Sequence, residues 1–164
     1  MAKLMMTRVD YRLIHGQVAG QWTKSLDVNK VVILDDVTAA DEFMLEVFEV
    51  IAPVGTEVTV YTVEQGVQEW KENQFGQGRV LVLFREVVDA ERAYRLGFQY
   101  PSLNVAQSPG RDDRKQAVLT VCLSDHEADL LRGLMNDGVD VYCQMTPVEG
   151  VHQYKGILEN FKVN

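Results

Sequence analysis

Residues 30–34 read Lys-Val-Val-Ile-Leu and decide the fold class of this sequence. An apolar run that is rich in β-branched residues is typical of a strand covered on both faces. Residues 79–84, Arg-Val-Leu-Val-Leu-Phe, repeat the pattern further along the chain. Because strands covered on both faces occur in parallel sheets with helices on each side, the two segments predict an α/β fold.

Helical and strand patterns alternate on either side of these segments. Helices are predicted where apolar residues recur at helical spacing or where a capping box opens the segment, at residues 16–26, 41–51, 62–72, 88–96, 124–136 and after Gly150. Further strands are predicted at residues 4–9, 57–61, 102–105, 117–123 and 139–145. Such alternation requires right-handed crossovers between parallel strands. We therefore expect residues 1–164 to form one doubly wound α/β domain, with a mostly parallel open sheet of about six to seven strands flanked by helices.

Composition narrows the class of protein. The 164 residues are 46% apolar and 24% charged, which is ordinary for a globular domain and excludes intrinsic disorder. Sixteen basic and 24 acidic residues give a formal net charge of −8, and this argues against a nucleic-acid partner. No apolar run in the sequence approaches the ~20 residues of a membrane helix. The N-terminus carries no secretory pattern, so we expect a cytoplasmic protein.

The turn after the first predicted strand carries the densest set of reactive side chains. Arg8, Asp10, Arg12 and His15 follow one another closely, and Gly16 comes next. Ligands in doubly wound folds bind at the carboxyl ends of the strands, which is where this turn lies. The amides at the start of the following helix are suited to bind an anion, and glycine lets the backbone approach it closely.

These residue types suit a histidine that carries a phosphoryl group. Neutral imidazole is a nucleophile near neutral pH. Arg12 and the amides of Gly16 and Gln17 can stabilise the phosphoryl oxygens, and Asp10 can accept the other ring N–H and so fix the tautomer. The alternative is a structural ion-pair cluster against which His15 merely packs. Spacing alone does not decide between them.

A second candidate site follows the second strand. Asp35 and Asp36 are paired carboxylates at a strand end, which can hold Mg²⁺ as in receiver domains, where an aspartate accepts the phosphoryl group. The pair follows the second strand rather than the first, which weighs against this hypothesis. Asp36 is nevertheless kept as a residue of the active face, together with Arg8, Ser108 and Arg111, the last from the charged loop 110–115.

The remaining histidines and the cysteines give weaker signals. His126 and His152 are expected to be solvent-exposed. Cys122 and Cys143 lack C-x-x-C spacing, and we expect both to be buried and reduced. Because no residues stand at zinc-ligand spacing, no metal is predicted. No cofactor is predicted either.

Residues 8–18, Arg-Val-Asp-Tyr-Arg-Leu-Ile-His-Gly-Gln-Val, resemble the active-site loop of one known family. This family is the EIIB component of the mannose/fructose/sorbose class of the bacterial phosphoenolpyruvate-dependent sugar phosphotransferase system. The similarity also includes Trp22, residues 31–37, Asn104-Val105 and the stretch from Gly138 to Gln144. It therefore runs over nearly the whole chain.

The resemblance implies a cytoplasmic phosphocarrier, a transferase component that associates with the membrane only through its partners. The residue matching His15 receives a phosphoryl group on Nδ1 from the phosphohistidine of an EIIA component. It passes the group to a sugar held by the membrane components EIIC and EIID. The residues matching Asp10 and Arg12 belong to the same loop. Since the sugar is bound by the membrane components, this chain does not identify it.

One departure from the family pattern keeps a second function open. After Asn104-Val105, many members carry a glycine pair and a methionine, where this chain has Ala106-Gln107-Ser108. The alternative is a non-catalytic regulatory subunit of the same fold. In a carrier, the surface around the histidine should be flat and partly apolar. Tyr11, Leu13 and Ile14 are its candidates, and at least one of them should anchor the loop in the core.

Overall fold

The computed structural model describes residues 1–16 and 18–163 and gives the chain the α/β architecture that the sequence predicts. Within these residues the strands are β1 Lys3–Asp10, β2 Lys30–Leu34, β3 Glu57–Tyr61, β4 Arg79–Phe84, β5 Ser102–Gln107, β6 Lys115–Val118, β7 Val121–Leu123, β8 Asp140–Cys143 and β9 His152–Gln153. The helices are α1 Thr23–Ser25, α2 Asp36–Ala39, α3 Glu42–Ile51, α4 Val63–Asn73, α5 Val87–Leu96, α6 Asp125–Asn136 and α7 Tyr154–Ile157. A π-helical turn, Val18–Trp22, precedes α1, and a 3₁₀ turn, Leu158–Asn160, follows α7.

The described strands form a seven-stranded sheet in the order β3-β2-β4-β1-β5-β8-β9. Every pairing in it is parallel except that of β9 with β8. From β1 the chain moves outward to β2 and β3, returns to β4, and then crosses to β5 and β8 on the other side. The reversal places the carboxyl ends of β1, β4 and β5 side by side, which is where ligands bind in such folds.

The two-sided burial predicted for β2 and β4 is confirmed. In β2, Val32 and Leu34 belong to the core on one side of the sheet, while Val31 and Ile33 belong to the core on the other. Apolar residues of α4, α5 and α6 cover the first side, and residues of the π-helical turn and α3 cover the second. Because side chains alternate between the two faces along a strand, each apolar residue of the run is buried on one face or the other.

The predicted capping residues at helix ends are confirmed. Thr62 and Gln65 form a reciprocal capping box at the start of α4, and Ser124 and Glu127 form another at the start of α6. Gly97 caps the end of α5 with φ 121°, a backbone conformation that glycine adopts without steric cost. Among the described residues, no helix is long and apolar enough to cross a membrane.

Several predicted boundaries are wrong. The single strand expected at residues 117–123 is instead the antiparallel hairpin of β6 and β7, which lies outside the main sheet. Ser108, just after β5, holds the hairpin: its N–H donates to the Thr120 carbonyl at 3.1 Å, and its carbonyl accepts from the Cys122 N–H at 2.9 Å. These bonds pair backbone groups of Thr120 and Cys122 in the hairpin. Residues 117–123 therefore do not need to form a strand of the main sheet to satisfy their hydrogen bonds.

The helices at both ends of the chain also differ from the prediction. The helix expected at residues 16–26 contains the π-helical turn and only a short α1. The terminal helix is the short α7, preceded by β9, and α2 was not predicted. The α2 helix begins at Asp35, whose carboxylate accepts from the Thr38 N–H at 3.0 Å and so caps the first turn.

The α4 helix packs closely on the sheet at Gly66. A Cβ at this position would overlap Leu34 Cδ2 and lie 3.2 Å from Leu34 Cγ, and Leu34 is fully buried. Overpacking of this kind costs about 1–3 kcal/mol, which exceeds the ~1 kcal/mol that alanine gains in a helix. We expect Gly66→Ala to lower the free energy of unfolding in urea denaturation.

The matched control is Gly133→Ala in α6. Its added Cβ meets only the end of the Arg95 side chain, at 3.2 Å, so the gain in helix propensity should dominate. A Gly66→Ala variant as stable as the Gly133→Ala variant would contradict the packing described here.

Candidate active site

The predicted reactive loop lies at the carboxyl edge of the central strands. β1 ends at Asp10, whose register partner on β5 is Gln107. The Tyr11 N–H donates to the Gln107 carbonyl at 3.2 Å, and the Leu13 N–H donates to the Asp10 carbonyl at 2.9 Å. The loop is thus tied to the ends of two neighbouring strands.

The carboxylate of Asp10 connects the reactive side chains. It is fully buried. Its Oδ1 accepts from the Arg12 N–H and Nε, both at 3.1 Å. Its Oδ2 accepts from Arg8 Nη2 at 3.1 Å and Arg12 Nη2 at 3.2 Å, and lies 3.0 Å from His15 Nε2. The structure therefore brings the predicted residues of the loop together around one acid.

The surroundings of Asp10 keep it ionised. Burial alone raises the pKa of this carboxyl group. The hydrogen bonds from His15 and Arg12 and the positive charge of Arg8 outweigh burial and lower the pKa to about 2. At physiological pH the Asp10 carboxylate can therefore accept hydrogen bonds but cannot donate one.

The contact with Asp10 fixes the tautomer of His15. Because the ionised carboxylate can only accept, the proton of the neutral ring lies on Nε2 and the lone pair on Nδ1. No side chain or backbone group within residues 1–16 and 18–163 forms a hydrogen bond with Nδ1. The His15 side chain is 17% exposed. It therefore offers a nucleophilic nitrogen at a largely enclosed position.

Arg8 supports Asp10 from inside the molecule and does not form part of the exposed active face, where we predicted it. Its side chain is fully buried, and Nη1 and Nη2 donate to the carbonyls of Gln144 and Met145 at 3.0 and 3.1 Å. The Trp22 indole N–H donates to the same Met145 carbonyl at 2.8 Å. The Arg8 guanidinium lies over the Trp22 ring at 5.6 Å, which adds a cation–π contact.

Asn104 holds the segment that Arg8 needs. Its carboxamide donates to the Gln144 carbonyl and accepts from the Gln144 N–H, both at 2.9 Å. This pair of bonds fixes the chain just after β8, where the carbonyls that receive Arg8 lie.

Arg12 is an exposed cation next to Asp10. Its side chain is 39% exposed. Nε and Nη2 are bonded to Asp10, whereas Nη1 has no acceptor in the described part of the chain. Arg12 lines a hollow of ≈ 360 Å³ that also includes Gln107, Ser108, Leu119, Thr120 and Met145. It can therefore present a free N–H edge to an anion while Asp10 holds its other edge.

Two apolar residues anchor the loop. Leu13 and Ile14 are buried in the core beneath the π-helical turn. Leu13 has φ 55°, a left-handed conformation that is unusual for a bulky residue and is stable only where its surroundings enforce it. Of the three residues considered for the apolar surface, only Tyr11 stays partly exposed, between the guanidinium groups of Arg85 at 5.4 Å and Arg111 at 5.5 Å.

The helical path begins directly after the histidine. The His15 carbonyl accepts from the Ala19 N–H at 2.8 Å. Gly16 is exposed, and no described residue beyond its chain neighbours lies within 4 Å of a Cβ added to it. Gln17, which we predicted as a phosphate-binding residue, lies outside the described residues.

Ser108 and Arg111 flank the loop in different ways. Ser108 is buried in the wall of the hollow, and its hydroxyl accepts from Arg114 Nη1 at 3.0 Å. Arg111 pairs with Glu86 at 2.6 Å while it lies over Tyr11. The hydroxyl of Ser108 is therefore partly occupied by a structural bond, whereas Arg111 contacts the loop at Tyr11.

The two carboxylates after β2, those of Asp35 and Asp36, form structural hydrogen bonds and ion pairs. Asp35 caps α2 and pairs with Arg85 at 3.0 Å. Asp36 accepts from the Val63 N–H at 2.9 Å and pairs with Arg92 at 3.0 Å. The two carboxylates serve separate partners on different elements, which disfavours the receiver-like hypothesis and separates Asp36 from the cluster around Asp10.

The exposed histidines and the buried Cys143 agree with their predictions, whereas Cys122 is less buried than we predicted. His126 and His152 are exposed. Cys143 is buried and Cys122 partly buried, and both are free thiols.

Sequence reasoning missed three members of the site. The carbonyls of Gln144 and Met145 cannot be recognised from sequence because every residue type carries a carbonyl. Gln107 could have been recognised, because it lies in the segment 106–108 that departs from the family pattern.

Asp10 makes the stability of the fold sensitive to acid. Its pKa is lowered from 3.8 to about 2, so its contribution is complete above about pH 4 and is lost as the pH falls through about 2. The contribution is on the order of 2 kcal/mol. We expect the unfolding free energies of wild type and Asp10→Asn, measured in urea, to converge over this interval.

The control is Asp112→Asn, which changes an exposed carboxylate of loop 110–115. It should follow the wild-type pH profile. A difference between wild type and Asp10→Asn that stays constant from neutral to acid pH would contradict the lowered pKa.

Comparison with known proteins gives the family. The family model of the PTS system sorbose subfamily IIB component matches residues 4–163. The sorbose-specific EIIB component of Klebsiella pneumoniae is 30% identical over 137 residues, which are 84% of each chain. The mannose-specific EIIAB component of Escherichia coli is 29% identical over 136 residues, which are 83% of this chain and 42% of that protein. The chain thus spans less than half the length of this relative.

Solved structures agree in fold over almost the whole chain. The crystal structure of manxB from Thermoanaerobacter tengcongensis superposes with a TM-score of 0.89 at 33% identity and 98% coverage of both chains. The IIBSor domain of the sorbose permease from Klebsiella pneumoniae gives a TM-score of 0.90 at 26% identity, also with 98% coverage of both. The chain therefore belongs to the sorbose-subfamily IIB (EIIB) components of the sugar phosphotransferase system.

Proposed function

We propose that this chain is a cytoplasmic phosphocarrier in which His15 is phosphorylated on Nδ1. The donor is the phosphohistidine of an EIIA component, and the acceptor is a sugar held by the membrane components EIIC and EIID, to which the chain docks at the inner face of the membrane. The observation that carries the proposal is the 3.0 Å contact between His15 Nε2 and Asp10. It leaves Nδ1 as the nucleophilic nitrogen.

The proposed transfer exchanges one nitrogen–phosphorus bond for another. The Nδ1 lone pair attacks phosphorus while the bond to the donor's imidazole breaks. The proton stays on Nε2, and Asp10 stabilises the positive charge that the ring gains, as a buried acid does for an imidazolium. In the onward step a sugar hydroxyl attacks phosphorus and releases its proton to solvent, the Nδ1–P bond breaks with its electron pair returning to Nδ1, and His15 returns to the neutral ring.

Arg12 supplies the charge that the phosphoryl oxygens require. Phosphoryl transfer depends mainly on positioning and on stabilisation of negative charge. The Asp10 bonds orient the Arg12 guanidinium, and its Nη1 edge remains available. The amide of Gly16, on the exposed backbone after His15, is the proposed second donor, and the Gln17 amide is the third.

Phosphorylation of His15 is tested directly with the purified chain. Phosphoenolpyruvate, Enzyme I, HPr and a mannose-type EIIA supply the phosphoryl group, and ³¹P NMR identifies the product. We expect an Nδ1-phosphohistidine signal in wild type and none in His15→Ala. His126→Ala, which removes an exposed histidine, is the control and should be labelled like wild type.

The other outcomes separate the alternatives. An unlabelled wild type with a verified donor would favour the regulatory subunit. Label that persists in His15→Ala, survives acid and is lost in base would indicate an acyl phosphate on Asp35 or Asp36. Phosphohistidine has the opposite stability, and its formation from EIIA that has already been phosphorylated should withstand a metal chelator.

Arg12→Gln should slow transfer more than any comparable surface change. Loss of one oriented donor to a transition-state oxygen costs about 10²–10³ in rate. Arg79→Gln is the matched control, because Arg79 is 40% exposed and also pairs with an aspartate, Asp27, but lies at the amino end of β4. Single-turnover rates that fall equally in both variants would contradict the role of Arg12.

A further inference from the structure

We propose that Gln107 is a further phosphoryl-contacting residue, whose side-chain amide donates to the group carried by His15. The inference rests on the proposed function. It concerns a residue outside the loop 8–18, in the segment where this chain departs from the family pattern. Its basis is the placement of Gln107 on β5 and the unpaired state of its carboxamide.

A bulge in β5 places Gln107 beside Asp10. Val9 pairs with Val105, but the next residue of β1, Asp10, pairs with Gln107, so Ala106 is an extra residue on β5. Bulges bend a strand and change the direction of its side chains, and they are frequent next to active sites. The Gln107 carbonyl also accepts from the Tyr11 N–H at 3.2 Å. Its backbone is therefore fixed to both β1 and the reactive loop.

The carboxamide of Gln107 is not held by a structural hydrogen bond from the described residues. Its Oε1 is buried and has no hydrogen bond in the described part of the chain. A buried polar atom without a partner is rare in folded proteins and destabilises them. The carboxamide therefore does not serve the stability of the fold, because an apolar side chain of similar size would fill the same space without this cost.

The hollow beside Arg12 indicates where the carboxamide can act. Gln107 and Arg12 both line it, and both are linked to Asp10, Arg12 through its side chain and Gln107 through the strand register. The carboxamide of Gln107 carries an NH₂ group with two N–H donors. Two residues with N–H donors, one charged and one neutral, thus border the same space, and phosphoryl oxygens are the acceptors that suit them.

Gln107→Met tests the inference because it keeps the size of the side chain and removes its hydrogen bonds. Transfer from phosphorylated EIIA is followed in single turnover over a range of donor concentrations. We expect the rate at saturating donor to fall by about tenfold, with the half-saturating concentration unchanged. The thermal midpoint should be equal to that of wild type or higher, since the unpaired oxygen is removed.

A second variant and a control complete the test. Gln107→Glu places a carboxylate against the phosphoryl group and should slow transfer more than Gln107→Met. Gln68→Met, on the exposed part of α4, should leave both rate and midpoint unchanged. Because wild type and His15→Ala are measured in the same assay, failure of His15 phosphorylation is distinguished from failure of the role of Gln107.

Three results would overturn the inference. The first is transfer at the wild-type rate in Gln107→Met. The second is an effect confined to the half-saturating donor concentration, which would make Gln107 a docking contact. The third is a Gln107→Glu variant that transfers faster than Gln107→Met, because a negative charge cannot aid a group that must donate to an anion.

Discussion

The burial of one carboxylate, that of Asp10, is the constraint on which the arrangement of this protein depends. A charge removed from water is costly unless oppositely charged and hydrogen-bonding groups surround it. Asp10 meets this requirement with Arg8 from below, Arg12 from the loop and His15 from the start of the helical segment. The same contacts orient the imidazole and the exposed guanidinium. Stability and the proposed chemistry therefore have a common physical origin.

This constraint extends through the sheet, because Arg8 is itself a buried charge. Its guanidinium needs acceptors beyond Asp10 and finds them in the carbonyls of Gln144 and Met145. Those carbonyls follow β8, and Asn104 on β5 fixes their position. The strand order β1-β5-β8 thus allows Arg8, on β1, to donate hydrogen bonds to backbone carbonyls that are far away in sequence. The family similarity at Asn104 and Gln144 has a physical reason in this network.

The sequence predicts what local chemistry determines. The apolar runs of β2 and β4, both capping boxes and the reactive loop follow from residue type and spacing, and the structure contains them. The hairpin of β6 and β7 was predicted as one strand because an apolar run does not reveal where it reverses. The bonds from Ser108 that stabilise the reversal are tertiary. The buried position of Arg8 was missed for the same reason, since its carbonyl acceptors have no signature in residue type.

Leu13 links core packing to the geometry of the histidine. His15 must turn back to reach Asp10, and the left-handed conformation at Leu13 provides the change of direction. That conformation is unfavourable for leucine by about 1–3 kcal/mol, which the burial of its side chain offsets, since burying a leucine is worth about 1.5–3 kcal/mol. Ile14 is buried in the same apolar cluster. Core packing therefore stabilises the loop path in which His15 Nε2 lies against the Asp10 carboxylate and Nδ1 is left for the proposed phosphoryl group.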